Sequence, residues 1–338
     1  MAAAFGLGGC GSDSSTDSQH PVVQNRPAPP KSDFPSADGK TLAQVVEAAD
    51  GPSDLVVSPA AKVFYTGSNR YPLGVFERDG SQVSDAEVAL YFAHVPVKKG
   101  APAGTQKSKE AFEEALSQPA AGPYPAALES IETGPAFRAL TTTSDPDTAT
   151  AVYTTTVDFS EDGDWRMVAL IREDGELQSS QLPSAAVGTF AKVPRPGQKA
   201  PPIHTPTPAD VGGDLSQITT RVPPDTQHEV DYADALGEEP IVLLFATPQF
   251  CQSRVCGPVT DVAEQVKQSY GDRVAFIHME IYNDNDPSKG VRPQVRAFHL
   301  PSEPWLFAID QSGRIEAEIE GAFGVEELTS VVKGLTGE

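Results

Sequence analysis

The chain has 338 residues, 25 of them Lys or Arg against 47 Asp or Glu, for a formal net charge of −22. At about 100–200 residues per domain, this length accommodates two domains. The acid excess excludes the basic surface that phosphate neutralisation requires, so nucleic acid is not an expected partner. No run approaches the ~20 apolar residues that cross a bilayer as a helix.

Residues 1–10 close on Leu7-Gly8-Gly9-Cys10, and a polar stretch beginning Gly11-Ser12-Asp13 follows. This resembles a bacterial lipobox, in which the cysteine takes a lipid. The resemblance implies an exported lipoprotein held through Cys10 to the outer face of the cytoplasmic membrane, in the cell envelope. The residues before Cys10 carry no Lys or Arg, a departure from a full signal peptide. Residues 11–50 read as a flexible tether: Ser12 to Asp38 is rich in Ser, Asp, Pro and Gln without a hydrophobic period. Thr41–Ala49 is expected to form a short helix within it.

From 51 to 193 the pattern changes to short strand-like runs. The candidates are Lys62–Thr66, Tyr71–Glu77, Glu87–Val95, Ala136–Thr142, Ala149–Phe159, Trp165–Arg172 and Leu177–Leu182. Asp79-Gly80, Asp162-Gly163 and Asp174-Gly175 mark turns, where glycine supplies the positive φ of a tight hairpin. Seven such strands predict an all-β, immunoglobulin-like sandwich. An insertion from Lys98 to Glu132 interrupts it, with a helix around Lys107–Ser117. Asp158, Glu161, Asp162 and Asp164 form an acidic turn without a defined ligand pattern, and a binding or spacing role is the expectation for this domain.

Residues 194–225 are Pro-rich and predict a second linker. Residues 226–338 then alternate strands with helices. Ile241–Ala246 is a continuous apolar run, the look of a strand buried on both faces. Val259, Val262, Ala263, Val266 and Tyr270 stripe one face of a helix. Between the two lie Cys251 and Cys256, where the unpaired N–H groups of a helix start favour thiolate. Val274–Tyr282 is a further strand and Ser288–Phe298 a helical segment. Trp305–Asp310 with Arg314–Glu320 makes a hairpin, and a final helix carries Val325, Leu328, Val331, Val332 and Leu335. The predicted whole is a multidomain chain, an all-β sandwich followed by an α/β domain.

That β-α-β-α-β-β-α order resembles the thioredoxin superfamily, from about Gly197 to Leu335. Gly197-Gln-Lys-Ala-Pro201 is similar to the entry segment of the membrane-anchored thioredoxin-like and peroxiredoxin branches. Leu244-Phe245-Ala246 resembles the strand that delivers the active cysteine, and Glu303-Pro304-Trp305 the segment whose cis-proline faces the dithiol. The resemblance implies thiol–disulfide exchange by Cys251 and Cys256 with Pro304 beside them, no cofactor, and protein thiols or disulfides, or a small oxidant, as partners.

Several residues depart from the family pattern. Four residues separate the cysteines, in place of two. On a regular helix, positions five apart are displaced by about 7.5 Å and rotated by about 140°, too far and too divergent for a disulfide. Either the helix starts at Pro258 and the cysteines share a loop, or it starts near Ser253 and must unwind. Peroxiredoxins of the Q type share this spacing, so a peroxidase is an alternative. Thr247, four residues before Cys251 where that family has three, and Arg292 or Arg296 would then assist. Leu243 stands where thioredoxins carry a buried Asp; Glu280 and Glu303 are candidate replacements. Arg254, between the thiols, supports the thiolate if it folds back.

Two further readings differ in class. Soft thiolates select Cu(I), so Cys251 and Cys256 with His278 and His299 form a candidate copper-delivery set. Alternatively the disulfide only staples a tethered binding protein. Asn283-Asp284-Asn285-Asp286 lacks a complete calcium-ligand pattern and reads as loop.

Overall fold

The computed structural model describes residues 23–96, 106–144 and 147–338. Cys10 and residues 11–22 of the predicted tether lie outside the described residues. Among those described, no helix is long and apolar enough to cross a membrane.

Among the described residues, nine strands build the first half: β1 (Gly51–Pro52), β2 (Val56–Pro59), β3 (Gly67–Phe76), β4 (Glu87–His94), β5 (Ala121–Pro125), β6 (Ala127–Ser130), β7 (Ala151–Phe159), β8 (Gly163–Glu173) and β9 (Glu176–Val187). They form two sheets, ordered β1-β9-β8-β4-β5 and β2-β3-β7-β6. Alternation explains how they pack. Tyr71, Leu73 and Val75 of β3 meet Val88, Leu90 and Phe92 of β4 in one core between the sheets. The intervening residues of β4, Ala89, Tyr91 and Ala93, point the other way into a second cluster.

That second cluster corrects the tether. Phe34, Leu42 and Val45 are buried against the outer face of β4 and β8. Arg26 pairs with Leu128 through its backbone. Helix α1 (Leu42–Val46) is fixed by a capping box, in which Thr41 and Gln44 exchange side-chain to backbone hydrogen bonds. Residues 23–50 are therefore a cover for the sandwich.

The insertion holds α2 (Gln106–Glu114) together with β5 and β6. The expected strand at Ala136–Thr142 is instead a 3-10 turn over Pro135–Phe137 and a short helix, α3 (Leu140–Thr143). Pro135 sits at the first position of that turn, where its missing N–H costs nothing. The predicted linker is also structured: Gly197 N–H donates to Ile315 O (2.7 Å) and Ile315 N–H to Gln198 O (2.9 Å).

The second half holds α4 (Tyr232–Ala235), β10 (Ile241–Phe245), α5 (Cys256–Tyr270), β11 (Ala275–Met279), α6 (Pro293–Ala297), β12 (Trp305–Ile309), β13 (Ile315–Glu320) and α7 (Val325–Thr336). Its sheet runs β11-β10-β12-β13, with β10 and β11 parallel and the other pairs antiparallel. The parallel pair needs a crossover, which α5 supplies. Every residue of β10 is buried because both faces are covered. Val242 and Leu244 pack against α5 and α7, and Ile241, Leu243 and Phe245 against α4 and α6. The order β10-α5-β11-α6-β12-β13-α7 is the β-α-β-α-β-β-α succession expected from the sequence.

The two halves are joined by more than a linker. Arg70 of β3 forms a two-pronged ion pair with Glu327 of α7 (2.6 and 2.7 Å) and donates to Ala322 O. Glu320, at the end of β13, accepts from the backbone N–H groups of Lys62 and Val63 (3.0 and 2.9 Å). Gly321, with φ of +84°, lies directly against the backbone oxygen of Ala60, an approach no side chain permits.

Candidate functional site

Where β10 ends, Ala246 to Val255 form the loop that leads into α5. Cys251 and Cys256 form a disulfide across this loop with Cα atoms 5.8 Å apart. The helix begins at Cys256, so the two cysteines do not share a helical turn and the i,i+5 obstacle is removed. Arg254 adopts φ of +59°, reversing the chain between them.

The two sulfurs are unequal. Cys256 is fully buried, whereas Cys251 is partly exposed. The backbone N–H of Cys256 lies 3.2 Å from Cys251 Sγ, and Ser253 Oγ is also 3.2 Å from it. Once the bond is opened, these groups and the N-terminal dipole of a 15-residue helix favour negative charge on Cys251.

The peptide bond before Pro304 is cis. Ser253 Oγ lies 3.5 Å from the Glu303 carbonyl oxygen, so the cysteine loop and the proline segment adjoin. Gly321 N–H, at the end of β13, donates to Pro304 O (2.9 Å). Burial raises the Glu303 carboxyl above the usual range, with Lys62 opposing the shift.

A cavity of about 390 Å3 opens beside Cys251. Gln249, Arg254 and Gly257 form one side, and Thr141, Thr142 and Thr148 of the first half form the other. The hydroxyl of Thr141 is buried without a hydrogen-bond partner among the described residues. Behind this wall lies a buried ion pair, Arg221 Nε to Asp261 Oδ1 at 2.9 Å. Arg221 also donates to Phe137 O (2.7 Å) and Pro223 O (2.8 Å), and Ala139 N–H donates to Asp261 Oδ2 (3.1 Å). The pair thus holds the segment before α3 against α5.

Most of the remaining sequence candidates have other partners. Arg254 pairs with Asp147 (3.0 Å) on the surface rather than folding onto the sulfurs. Thr247 is fully buried, its hydroxyl unpartnered, and it does not line the cavity beside Cys251. Arg292 serves the carbonyls of Tyr282 and Gln217, and Arg296 that of Val291. Glu280 is buried and accepts from the N–H and hydroxyl of Thr220 (2.6 and 2.7 Å).

The copper set is not assembled. His299 is exposed after α6. His278 is buried and lies 3.0 Å from Asp225 Oδ2 and 3.2 Å from Ala246 O. Burial opposes protonation of His278, yet the Asp225 carboxylate raises its pKa on balance. Among the described residues, the group able to converge on a metal ion is Asp225, His228 and His278. Asp225 and His228 were missed because they sit in a Pro- and Thr-rich stretch; their D-x-x-H spacing was the available signal.

No family model matches the chain, and no curated protein matches it. Solved structures do match. A putative thiol:disulfide interchange protein DsbE from Chlorobium tepidum aligns at 15% identity and a TM-score of 0.30, covering 42% of this chain and 98% of its own. A thioredoxin-like superfamily protein aligns at 18% identity and 0.26, covering 32% and 87%. A thiol:disulfide interchange protein of the thioredoxin family from Chlorobium tepidum TLS aligns at 18% and 0.29, covering 42% and 97%. At these values the functional reading rests on the site's own geometry.

Proposed function

We propose that the chain is a thiol–disulfide oxidoreductase acting through Cys251 and Cys256. The carrying observation is the disulfide at the head of α5, with one sulfur reachable and one buried, beside the cis bond at Pro304. In the oxidising direction a substrate thiolate attacks Cys251 Sγ. The Cys251–Cys256 bond breaks, and Cys256 leaves as a thiolate and takes a proton. A second substrate thiolate then attacks the substrate sulfur of the mixed disulfide, forming the product disulfide and releasing Cys251. The net change is two thiols oxidised and one protein disulfide reduced; the reverse sequence reduces a substrate disulfide.

Two finer readings accompany this proposal. The sandwich is immunoglobulin-like; the pairing of β3 with β7 in one sheet and of β4, β8 and β9 in the other supports it. The chain is exported and lipid-anchored through Cys10, supported by the lipobox-like Leu7-Gly8-Gly9-Cys10. The peroxidase and copper readings gain nothing from the placements of Thr247, Arg292, Arg296 and His299.

Insulin reduction and scrambled-ribonuclease refolding test the central claim. Wild type should turn over, Cys251→Ser should be inert, and Cys256→Ser should accumulate a mixed disulfide on Cys251, seen by intact mass. A pair that is reversibly oxidised yet turns over neither substrate would overturn it.

A further inference from the structure

Outside the dithiol site, Asp225, His228 and His278 bring a carboxylate and two imidazoles together in the interior. Asp225 and His228 lie between β9 and α4, and His278 on β11. The three side chains are buried, and one ligand atom from each falls within 4.8 Å of the others.

Two details set this cluster apart from an ordinary polar core. His278 Nε2 faces the Ala246 carbonyl oxygen, which can only accept, so that nitrogen carries hydrogen. Its Nδ1 lies 3.0 Å from Asp225 Oδ2, so a metal ion would displace the proton that this nitrogen shares with the carboxylate, while the Ala246 carbonyl fixes the other ring nitrogen. His228 Nε2 lies 3.2 Å from Asp225 Oδ1 but without the alignment of a hydrogen bond, and is left unpartnered although His228 is 2% exposed. The carboxylate is held in place from outside by Thr219 Oγ1 (3.0 Å) and Gln227 N–H (3.2 Å).

We propose that Asp225, His228 and His278 bind one divalent first-row transition-metal ion, for which zinc is the natural probe. Zinc accepts both imidazole nitrogen and carboxylate oxygen, and three such ligands leave a further coordination position. The ion would fasten the 219–228 segment to β11, next to the carbonyl at which β10 enters the cysteine loop. Because the ligands are buried, it enters as the chain folds.

The test uses the oxidised, tag-free full chain, in which the disulfide withholds both thiols. The protein is unfolded in guanidinium, refolded with and without zinc sulfate, dialysed, and analysed for metal content and melting temperature. Wild type should retain one zinc and melt higher than the zinc-free protein. His228→Ala, shown to be folded by circular dichroism, should retain none, and Cys251→Ser/Cys256→Ser should still retain one. No retained zinc and no melting shift in wild type, or equal retention in His228→Ala, would overturn the proposal. Should His228→Ala fail to fold, the wild-type melting shift decides the matter alone.

Discussion

Replacing Arg221 with alanine removes three hydrogen bonds from the place where the two halves meet α5. It takes the donors from Asp261, Phe137 O and Pro223 O. The larger consequence is a stranded carboxylate, because the Asp261 side chain is 1% exposed and keeps only the N–H of Ala139 as backbone partner. Breaking a buried pair from one side typically costs about 3–5 kcal/mol. Burial already raises the Asp261 carboxyl, with Ala139 N–H and Arg221 opposing it. Without Arg221 it rises further. A carboxyl raised in the folded state loses stability as pH climbs from its unfolded value through its folded one. The variant's deficit relative to wild type should therefore be larger at pH 8 than at pH 5. Guanidinium unfolding of the oxidised protein at both pH values measures this. A deficit below about 1 kcal/mol and the same at both would show that Asp261 is not held as a buried charge, and the reasoning would fail.

Two other perturbations probe the same junction. A Cβ on Gly257 would sit 2.8 Å from Thr142 Oγ1, so Gly257→Ala should cost about 1–3 kcal/mol by overpacking, and Thr142→Ala should recover part of that loss in the double variant. Elsewhere between the halves, Glu318 faces a second cavity of about 480 Å3 lined also by Tyr65, Arg70 and Trp305; its Oε2 is unpartnered among the described residues, and burial pushes its carboxyl up to about 8. Folded-state stability should then fall as pH rises from about 4.5 towards 8, and Glu318→Gln should flatten that slope in pH-dependent melting curves. An unchanged slope would contradict the assignment.

The α/β half was legible because its signals are local. The unbroken apolar run Ile241–Ala246, short and bounded by turn signals, reads as a strand covered on both faces, and Val259, Val262 and Val266 stripe the helix that crosses over it. The long sandwich strands β3, β4, β7, β8 and β9 were legible for the same reason, through alternation and Asp-Gly turns; the expected strand at Lys62–Thr66 is instead an irregular segment with a single bridge from Phe64 to Val187, and the short β2, β5 and β6 were missed. What escaped was segments whose order comes from elsewhere in the chain. Residues 23–50 are polar and aperiodic, yet Phe34, Leu42 and Val45 find an apolar face already prepared by Ala89, Tyr91 and Ala93. The 194–225 stretch has a linker's composition, but its backbone borrows partners from β13. Ala136–Thr142 has strand-like composition, but Pro135 and the donors around Asp261 turn it into helix. At the site, the cysteine spacing pointed to a loop; the hydroxyl wall from α3 and the Asp225–His228–His278 cluster join residues about 50 to 120 positions apart, which no periodicity reports.

The contribution of Thr141 and Thr142 to the cavity beside Cys251 alters what the sandwich means for the whole molecule. A bare α/β unit would leave that flank of Cys251 open. Here the first half forms a jamb along one edge of the opening, so under the proposed exchange a substrate reaching Cys251 would meet threonines of the first half as well as the cysteine loop.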